Sequence, residues 1–212
     1  MAKQAEVAVK LAHRQGLAAS RILDLGCGTG WLGAELTPFG SVTGVDLSPG
    51  SIAEGRRRHP DLELICGDML SVELSGPFDL VVSADSFAHV YDQRRFVDRV
   101  AGLTAERGTF LLMTQNGFVW DRRSKRAPLG KGQIQHWPPL SELKAVLSPH
   151  FHIRRIGSIV PGGDKGMLWW VENRYAQAGF RRLGLLPAWT RLLEQIRVGR
   201  ELVIEAERRE QR

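Results

Sequence analysis

The sequence predicts an α/β protein in which helices cover a mostly parallel sheet, and three observations support this prediction. Short β-rich apolar runs alternate with stretches of helical periodicity. A segment with four glycines, residues 22–33, begins within the first apolar run and continues directly behind it. Asp24, Asp46 and Asp68 lie 22 residues apart, the length of one strand and its helix, so their carboxylates are expected at one edge of the sheet.

Seven apolar runs are predicted to be strands. Each is short, is rich in β-branched or aromatic residues and is bounded by turn-forming residues, which is typical of buried strands. In chain order, the predicted strands are residues 21–25, 41–45, 62–66, 78–83, 109–114, 152–159 and 201–205.

Three helices are predicted between these strands. Residues 49–58 follow Ser48, which is a good N-cap. Residues 92–103 place their apolar side chains on one face, and residues 139–147 begin with a Ser-Glu pair in the first turn. Together with the strands, these helices complete the repeating pattern of an α/β protein.

Residues 161–199 are predicted to form a helical insertion between the last two strands. They are too numerous for an ordinary connection, and Leu185, Trp189 and Leu192 belong to an amphipathic stripe. We expect a single domain over residues 1–212, with the insertion serving as a lid or as a homodimer contact. Since the segment before the first strand is short, the insertion is also expected to cover the site.

Composition excludes several classes of protein. The 43% hydrophobic and 25% charged residues are incompatible with global disorder, and no stretch approaches the roughly 20 apolar residues of a membrane span. Cys27 and Cys66 form no CxxC pair, so neither a disulfide scaffold nor a metal site is expected, and a cytoplasmic location fits. The net charge of +6 is scattered among acidic residues, which favours a solvated surface over a nucleic-acid interface.

The glycine loop is compatible with two kinds of cofactor. Residues 28–33 match G-x-G-x-x-G, and Asp46 supplies the acid that a dinucleotide site requires about 20 residues further on. Asp24 argues against a dinucleotide, because a carboxylate beside the loop repels a pyrophosphate. The same carboxylate suits S-adenosylmethionine, which carries an ammonium and a sulfonium group and no phosphate. A nicotinamide-dependent oxidoreductase is the alternative.

Four motifs, taken in order and spacing, resemble the class I S-adenosylmethionine-dependent methyltransferases. They are D-L-G-C-G-T-G at residues 24–30, G-V-D-L-S at 44–48, C-G-D-M at 66–69 and F-D-L-V-V-S-A-D-S-F-A-H-V at 78–90. The resemblance implies a Rossmann-like seven-stranded sheet with helices on both faces and an antiparallel last strand. It also implies that S-adenosyl-L-methionine is the cofactor and S-adenosyl-L-homocysteine the product.

The resemblance assigns cofactor roles position by position. It implies that the glycine loop surrounds the methionine part and ribose, that Asp46 accepts hydrogen bonds from the ribose hydroxyls and that Leu47 lies against adenine. It further implies that Asp68 takes the adenine amino group and that residues 83–86 lie under the sulfur. The implied cofactor residues are Asp24, Gly26, Cys27, Gly28, Thr29, Gly30, Asp46, Leu47, Ser48, Gly67, Asp68, Met69, Ser83, Ala84 and Asp85.

The methyl acceptor is expected to be a small aromatic or lipophilic molecule that reacts through oxygen or nitrogen. The [DN]-P-P-[YFW] motif of amino-methylating nucleic-acid enzymes is absent, and neither cysteine is placed to act as a nucleophile. His89 and His136 are the candidate general bases. The candidate acceptor-binding residues are Tyr91, Trp120, Trp137, Trp169 and Trp170.

Two further alternatives remain open at the level of sequence. The basic segment at residues 122–131 motivates an RNA or DNA methyltransferase, although the missing motif makes nucleic acid the less favoured acceptor. A protein that binds the cofactor without catalysis fits the same motifs.

Overall fold

The fold is a seven-stranded sheet in a computed structural model that describes residues 2–122, 134–162, 168, 171 and 173–210. The predicted fold class is confirmed, since all seven predicted runs lie within or overlap the observed strands. The strands are β1 Ser20–Leu25, β2 Gly40–Asp46, β3 Glu63–Cys66, β4 Phe78–Ala84, β5 Thr104–Gln115, β6 Phe151–Pro161 and β7 Gly199–Arg208.

The helices lie between the strands and at the N-terminal end of the described chain. The α-helices are α1 Ala2–Gln15, α2 Trp31–Leu36, α3 Pro49–Arg58, α4 Gln93–Leu103, α5 Gly117–Trp120, α6 Leu140–Leu147, α7 Arg174–Arg182 and α8 Leu186–Gln195. Two 3₁₀ turns, Thr37–Phe39 and Phe87–His89, complete the regular structure of the described residues.

The strand order in the sheet is β3-β2-β1-β4-β5-β7-β6. The first five strands pair in parallel, whereas β7 is antiparallel to both β5 and β6. Successive strands are added on one side of β1 up to β3 and on the other side from β4 onwards, so the carboxyl ends of β1 and β4 flank a crevice of the kind in which α/β proteins bind ligands.

Each face of the sheet carries its own hydrophobic core. One core joins α1, α2 and α3 to the sheet, with Leu11, Leu32 and Ile52 as buried contributors. The other core joins α4 and α6 to the opposite face through Phe96 and Leu143. Because both faces are covered, the central strands β1 and β4 are buried at most positions and carry mainly apolar side chains.

Helix α1 is an element that the sequence reasoning did not predict. Its buried stripe consists of Gln4, Ala8, Leu11 and Ala12. Only one of these four side chains is large and apolar, so the hydrophobic periodicity is weak. Helix α1 covers this face of the sheet together with α2 and α3.

The observed strands differ from the predicted ranges mainly at their ends. Strand β5 extends from Thr104 to Gln115 and β7 from Gly199 to Arg208, because the two strands pair with each other along Thr109–Gln115 and β7 also pairs with β6. Hydrogen bonding between neighbouring strands thus extends β5 and β7 over polar end residues, for which the sequence shows no pattern typical of a strand. Strand β3 is one residue shorter than predicted and begins at Glu63.

The region between β6 and β7 contains helices α7 and α8, as the sequence suggested. Helix α8 lies against β6, and the Ser158 hydroxyl donates a hydrogen bond to the Glu194 carbonyl at 2.9 Å. Leu193 and Val198 form a small core with Val119 of α5. Among the residues that the structure describes, no helix combines the length and the apolar character needed to cross a membrane.

Candidate functional site

The loop after β1 adopts a left-handed backbone at alternate residues. Gly26, Gly28 and Gly30 have φ angles of 78°, 56° and 76°, a conformation that other residues adopt at a cost. Gly33 behaves differently, because it lies within α2, where an added Cβ would come 3.1 Å from Cγ1 of Val42. The conformationally required glycines are therefore spaced by two, and the formal G-x-G-x-x-G match does not describe the loop.

Asp46 ties this loop to the end of β2. Its Oδ2 accepts a hydrogen bond from the Gly28 amide at 2.8 Å, and its Oδ1 accepts one from the Ser48 amide at 2.8 Å. Each carboxylate oxygen can accept a second hydrogen bond, so the carboxylate is oriented and still able to bind a ligand's hydroxyl groups.

A cavity of about 380 Å³ opens at the carboxyl edge of the sheet. We call it the cofactor cavity, because six of the predicted cofactor residues lie on its wall. The lining residues are Gly26, Asp46, Leu47, Met69, Ala84, Asp85, Ser86, His89 and Val90.

The shape and polarity of the cofactor cavity fit a nucleoside. Leu47 is 70% exposed, which is unusual for a large apolar side chain, and it stands beside Asp46 on the wall. A Cβ added to Gly28 would meet nothing within 4 Å, so the loop backbone faces open space. The cavity therefore offers an apolar surface for a flat ring next to a carboxylate for hydroxyl groups.

Asp24 lies beneath the glycine loop in a buried position. Burial raises the pKa of its carboxyl group to about 7, the Gly33 backbone offsets part of this shift, and the Asp46 charge adds to it. The sequence placed Asp24 beside the ligand. In the structure the Asp24 side chain is buried outside the lining of the cofactor cavity, and its Oδ2 has no hydrogen-bond partner among the described residues.

Two serines join β4 to the glycine loop. The Ser83 and Ser86 hydroxyl oxygens are 2.6 Å apart, and Ser86 donates to the Leu25 carbonyl at 2.9 Å. An added Cβ on Gly26 would come 2.3 Å from Cβ of Ser86, so glycine is required for this approach. Ser83 thus lies behind the wall, whereas Ser86 lines it.

Four further predicted residues support the site from outside the cavity lining. The Ser48 hydroxyl caps α3 by accepting the Ser51 amide at 3.2 Å. Asp68 is exposed, and its Oδ1 accepts the Leu70 amide at 2.9 Å, so its side chain stabilises the turn after β3. The Cys27 side chain is buried in the core under α2, and burial raises the pKa of its thiol. Gly67 packs closely on Val72 of the same turn.

His89 lies on the cavity wall in an orientation that leaves one ring nitrogen available. Its Nδ1 is 3.0 Å from the Ile134 carbonyl oxygen, which can only accept a hydrogen bond. Nδ1 must therefore be the donor of this hydrogen bond, which leaves Nε2 as the ring nitrogen that could accept a proton. This arrangement suits a general base.

His136 lies in a different position from His89. Its Nδ1 is 3.1 Å from Oε1 of Gln93, whose amide nitrogen is committed to the Phe87 and His136 carbonyls. The ring therefore contacts the first residue of α4 and is outside the lining of the cofactor cavity. The structure brings only His89 of the two candidate bases to that cavity.

A second cavity of about 620 Å³ lies beyond the segment that carries His136. Trp137 is part of its wall, and the Trp120 ring stacks obliquely on Trp137 with centroids 5.1 Å apart. The lining residues are Asn116, Gly117, Phe118, Asp121, Arg122, Trp137, Pro139, Leu140, Ser141, Ile196, Arg197 and Leu202. We call it the aromatic cavity.

The remaining predicted residues are less informative. Tyr91 follows the cofactor cavity in the chain and is 86% exposed. Thr29 is half-buried in the loop between Gly28 and Gly30. Trp169 and Trp170 lie outside the described residues, as does most of the basic segment at 122–131.

Sequence reasoning missed two glutamines that contact the site. Gln4 and Gln115 donate hydrogen bonds to the two carboxylate oxygens of Asp85 at 2.7 Å and 3.0 Å. Gln4 lies 81 residues from Asp85, and no local pattern signals such a contact.

Comparison with known proteins shows that part of the chain is similar to methyltransferases. Residues 22–108 match the family described as Methyltransferase domain. The malonyl-[acyl-carrier protein] O-methyltransferase of Anoxybacillus flavithermus is 33% identical over 98 residues, which are 44% of this chain and 38% of that protein. The ubiquinone biosynthesis O-methyltransferase of Nitrobacter winogradskyi is 31% identical over 105 residues, 47% of this chain and 40% of that protein. The matched region thus spans well under half of these two relatives.

The fold is shared with solved structures. An S-adenosylmethionine-dependent methyltransferase from Mesorhizobium loti superposes with a TM-score of 0.65 at 21% identity, covering 91% of this chain and 92% of that one. The matched domain spans β1 to β5, which includes the glycine loop, Asp46 and the cofactor cavity. Residues 22–108 thus match a methyltransferase domain, and the chain shares its fold with S-adenosylmethionine-dependent methyltransferases of known structure.

Proposed function

We propose that the chain binds S-adenosylmethionine in the cofactor cavity and transfers its methyl group to an oxygen or nitrogen of a small aromatic or lipophilic molecule. One observation carries the proposal. The cavity combines the oriented carboxylate of Asp46, the exposed Leu47 and the left-handed glycine loop at one edge of the sheet. This set matches the hydroxyl groups and the flat ring of a nucleoside.

A dinucleotide fits the same edge less well. Asp24 lies buried beneath the loop, and Asp46 and Asp85 both face the cavity. A pyrophosphate there would meet carboxylates and no cationic side chain among the residues that line the cavity. A cationic ligand experiences the opposite field, which supports a sulfonium cofactor.

S-adenosylmethionine supplies an electrophilic methyl group on a positively charged sulfur. The contribution of this chain is to hold the reacting groups together and to remove a proton where the acceptor carries one. Asp46 and Leu47 would hold the nucleoside, and His89 would accept the proton of an acceptor hydroxyl on Nε2 while Nδ1 remains bonded to Ile134. Proximity of this kind contributes roughly 7–11 kcal/mol to catalysis.

The aromatic cavity is the candidate acceptor site. Residues 134–139 contribute to the surroundings of both cavities. The Ile134 carbonyl is hydrogen-bonded to His89 of the cofactor cavity, and Trp137 lines the aromatic cavity. Phe118, Trp137 and Leu140 give this cavity an apolar wall suited to a ring or an alkyl chain. Two relatives named as O-methyltransferases support oxygen as the methylated atom.

The insertion is proposed to act as a lid or as a homodimer contact. Its helices leave Leu183, Leu185, Leu192 and Ile196 exposed, and Ile196 also lines the aromatic cavity. Sedimentation of the purified chain distinguishes the two roles, since a lid requires no association.

Transfer of a labelled methyl group tests the proposed activity. The chain is incubated with methyl-labelled S-adenosylmethionine and, in separate reactions, with a panel of phenols, aromatic amines and lipophilic carboxylic acids, with RNA and with DNA. Label is expected in an organic-soluble product, and His89→Gln is expected to lower the turnover of a phenol about 100-fold. Label transferred only to RNA or DNA would overturn the small-molecule assignment.

A further inference from the structure

A buried glutamine of α1 contacts the wall of the cofactor cavity. Gln4 is 1% exposed, and its amide nitrogen donates to Oδ2 of Asp85 at 2.7 Å and to Oε2 of Glu201 at 2.9 Å. The contact joins the N-terminal helix to residues that follow β4 and begin β7, far away in the chain.

Asp85 is held from both sides in an uncommon backbone conformation. Its φ angle is 60°, its amide donates to the Met113 carbonyl at 2.9 Å, and it lines the cofactor cavity. The second carboxylate oxygen accepts the Gln115 amide at 3.0 Å. Two neutral donors thus orient one carboxylate at the cavity wall.

Packing alone does not account for glutamine at this position. Gln4 occupies the buried stripe of α1 with Ala8 and Leu11, where an aliphatic side chain buries without cost. A buried amide requires hydrogen bonds, and Oε1 of Gln4 has no partner in the part of the chain that the structure describes. The residue therefore carries a desolvation cost that an aliphatic side chain would not, and its two hydrogen bonds to Asp85 and Glu201 oppose that cost.

We infer that Gln4 is a positioning residue, which fixes the Asp85 carboxylate against the cofactor cavity and thereby makes α1 part of the S-adenosylmethionine site. The inference rests on the proposed function, because it assumes that this cavity binds that cofactor. Asp85 bears the charge that attracts a cationic ligand, and Gln4 acts only through it.

Glu201 shares the amide nitrogen of Gln4 but lies outside the lining of the cofactor cavity. Each of the two carboxylates receives one of the two N–H bonds. These two hydrogen bonds therefore fix the rotation of the Gln4 amide, and the fixed amide in turn holds the Asp85 carboxylate in one position.

A double-mutant cycle in the full chain tests the inference. Gln4→Met removes both donors at nearly constant side-chain length, and Asp85→Asn removes the charge with a residue that tolerates positive φ. Titration calorimetry with S-adenosylmethionine is expected to show about tenfold weaker binding by Gln4→Met, in line with the loss of one hydrogen bond to a charged group. In the Asp85→Asn background, Gln4→Met is expected to change the affinity less than twofold.

Gln15→Met is the matched control, because Gln15 belongs to the same helix and its amide also contacts the sheet, at Thr109. Binding by this variant is expected to equal that of the wild type. Circular dichroism and thermal melting check folding, and Gln4→Asn, which keeps an amide but is too short to reach Asp85, replaces Gln4→Met if the latter unfolds.

Two results would overturn the inference. Wild-type affinity in a folded Gln4 variant shows that Asp85 needs no support from α1. An equal loss with and without the Asp85 charge shows that Gln4 acts through packing. Absence of S-adenosylmethionine binding by the wild type is a separate result, and it rejects the proposed function itself.

Discussion

At the scale of single residues, Asp24 links the ionisation of the glycine-loop region to the stability of the fold. Burial raises the pKa of this carboxyl group to about 7, far above its usual value of 3.8. The folded chain therefore binds a proton more tightly than the unfolded chain. Stability from this group is full below about pH 4 and is lost as the pH rises towards 7.

Asp24→Asn is expected to remove this loss of stability. At pH 8 the ligand-free variant should be more stable than the wild type by up to about 4 kcal/mol, because no charge is buried. Urea unfolding at pH 5 and pH 8 measures the difference, with Asp79→Asn as the exposed control. A wild-type stability that increases from pH 5 to pH 8, with no change on substitution, would contradict the burial argument.

Asp46 is the residue through which the site is proposed to recognise ribose. Asp46→Ala is expected to weaken S-adenosylhomocysteine binding about 100-fold, because charge-assisted hydrogen bonds to hydroxyl groups are lost. Titration calorimetry gives the affinity. Asp79→Ala is the matched control, since Asp79 also accepts a backbone amide, that of Arg21 at 2.8 Å, away from the cavity. Equal affinity in the two variants would place the ribose elsewhere.

At the scale of elements, two glycines with positive φ allow the effect of backbone strain on stability to be compared with the effect of an added methyl group on ligand binding. Gly28 and Gly16 have φ angles of 56° and 64°, and an added Cβ meets nothing within 4 Å at either position. Alanine at either residue is expected to cost about 1 kcal/mol of stability. Gly28 donates its amide to Asp46 on the wall of the cofactor cavity, whereas Gly16 follows α1, so the two substitutions should differ in binding.

Gly28→Ala is expected to lower S-adenosylhomocysteine affinity at least tenfold, whereas Gly16→Ala should leave it unchanged, since only the first adds a methyl group where the nucleoside is proposed to lie. Calorimetric titration of both variants, with urea unfolding to compare their stabilities, provides the check. A similar small effect on affinity in both would show that the loop does not approach the ligand.

The elements also show how much the sequence could predict. The central strands and the loop follow from local signals, because β-branched runs and glycine spacing carry them. Helix α1 could not be predicted, since its buried face holds Gln4 and two alanines. The contact between Gln4 and Asp85 spans 81 residues, and the position of His136 at the start of α4 depends on Gln93. Such features arise from packing between distant segments, which a local pattern does not encode.

At the scale of the whole molecule, ligand binding at the edge of the sheet should stabilise the entire fold. The cofactor cavity draws residues from the ends of β1, β2 and β4, whose strands also form both cores. A ligand at 100 times its dissociation constant adds about 2.7 kcal/mol to the stability of the folded state.

S-adenosylhomocysteine at that concentration is therefore expected to raise the melting temperature by roughly 5–10 °C, since each kcal/mol shifts the transition of a domain of this size by a few degrees. Differential scanning calorimetry measures the shift. Asp46→Ala in the same ligand concentration should show a much smaller one, and an equal shift in the variant would argue for binding outside the cofactor cavity.

The central claim is that the cavity between Asp46 and Asp85 binds an adenosyl cofactor without phosphates. Calorimetric titration of the wild type with S-adenosylhomocysteine and, separately, with NADH tests it most directly. The account predicts saturable binding of S-adenosylhomocysteine at one site per chain and no binding of NADH. Binding of NADH, with no heat from S-adenosylhomocysteine up to high micromolar concentrations, would contradict it.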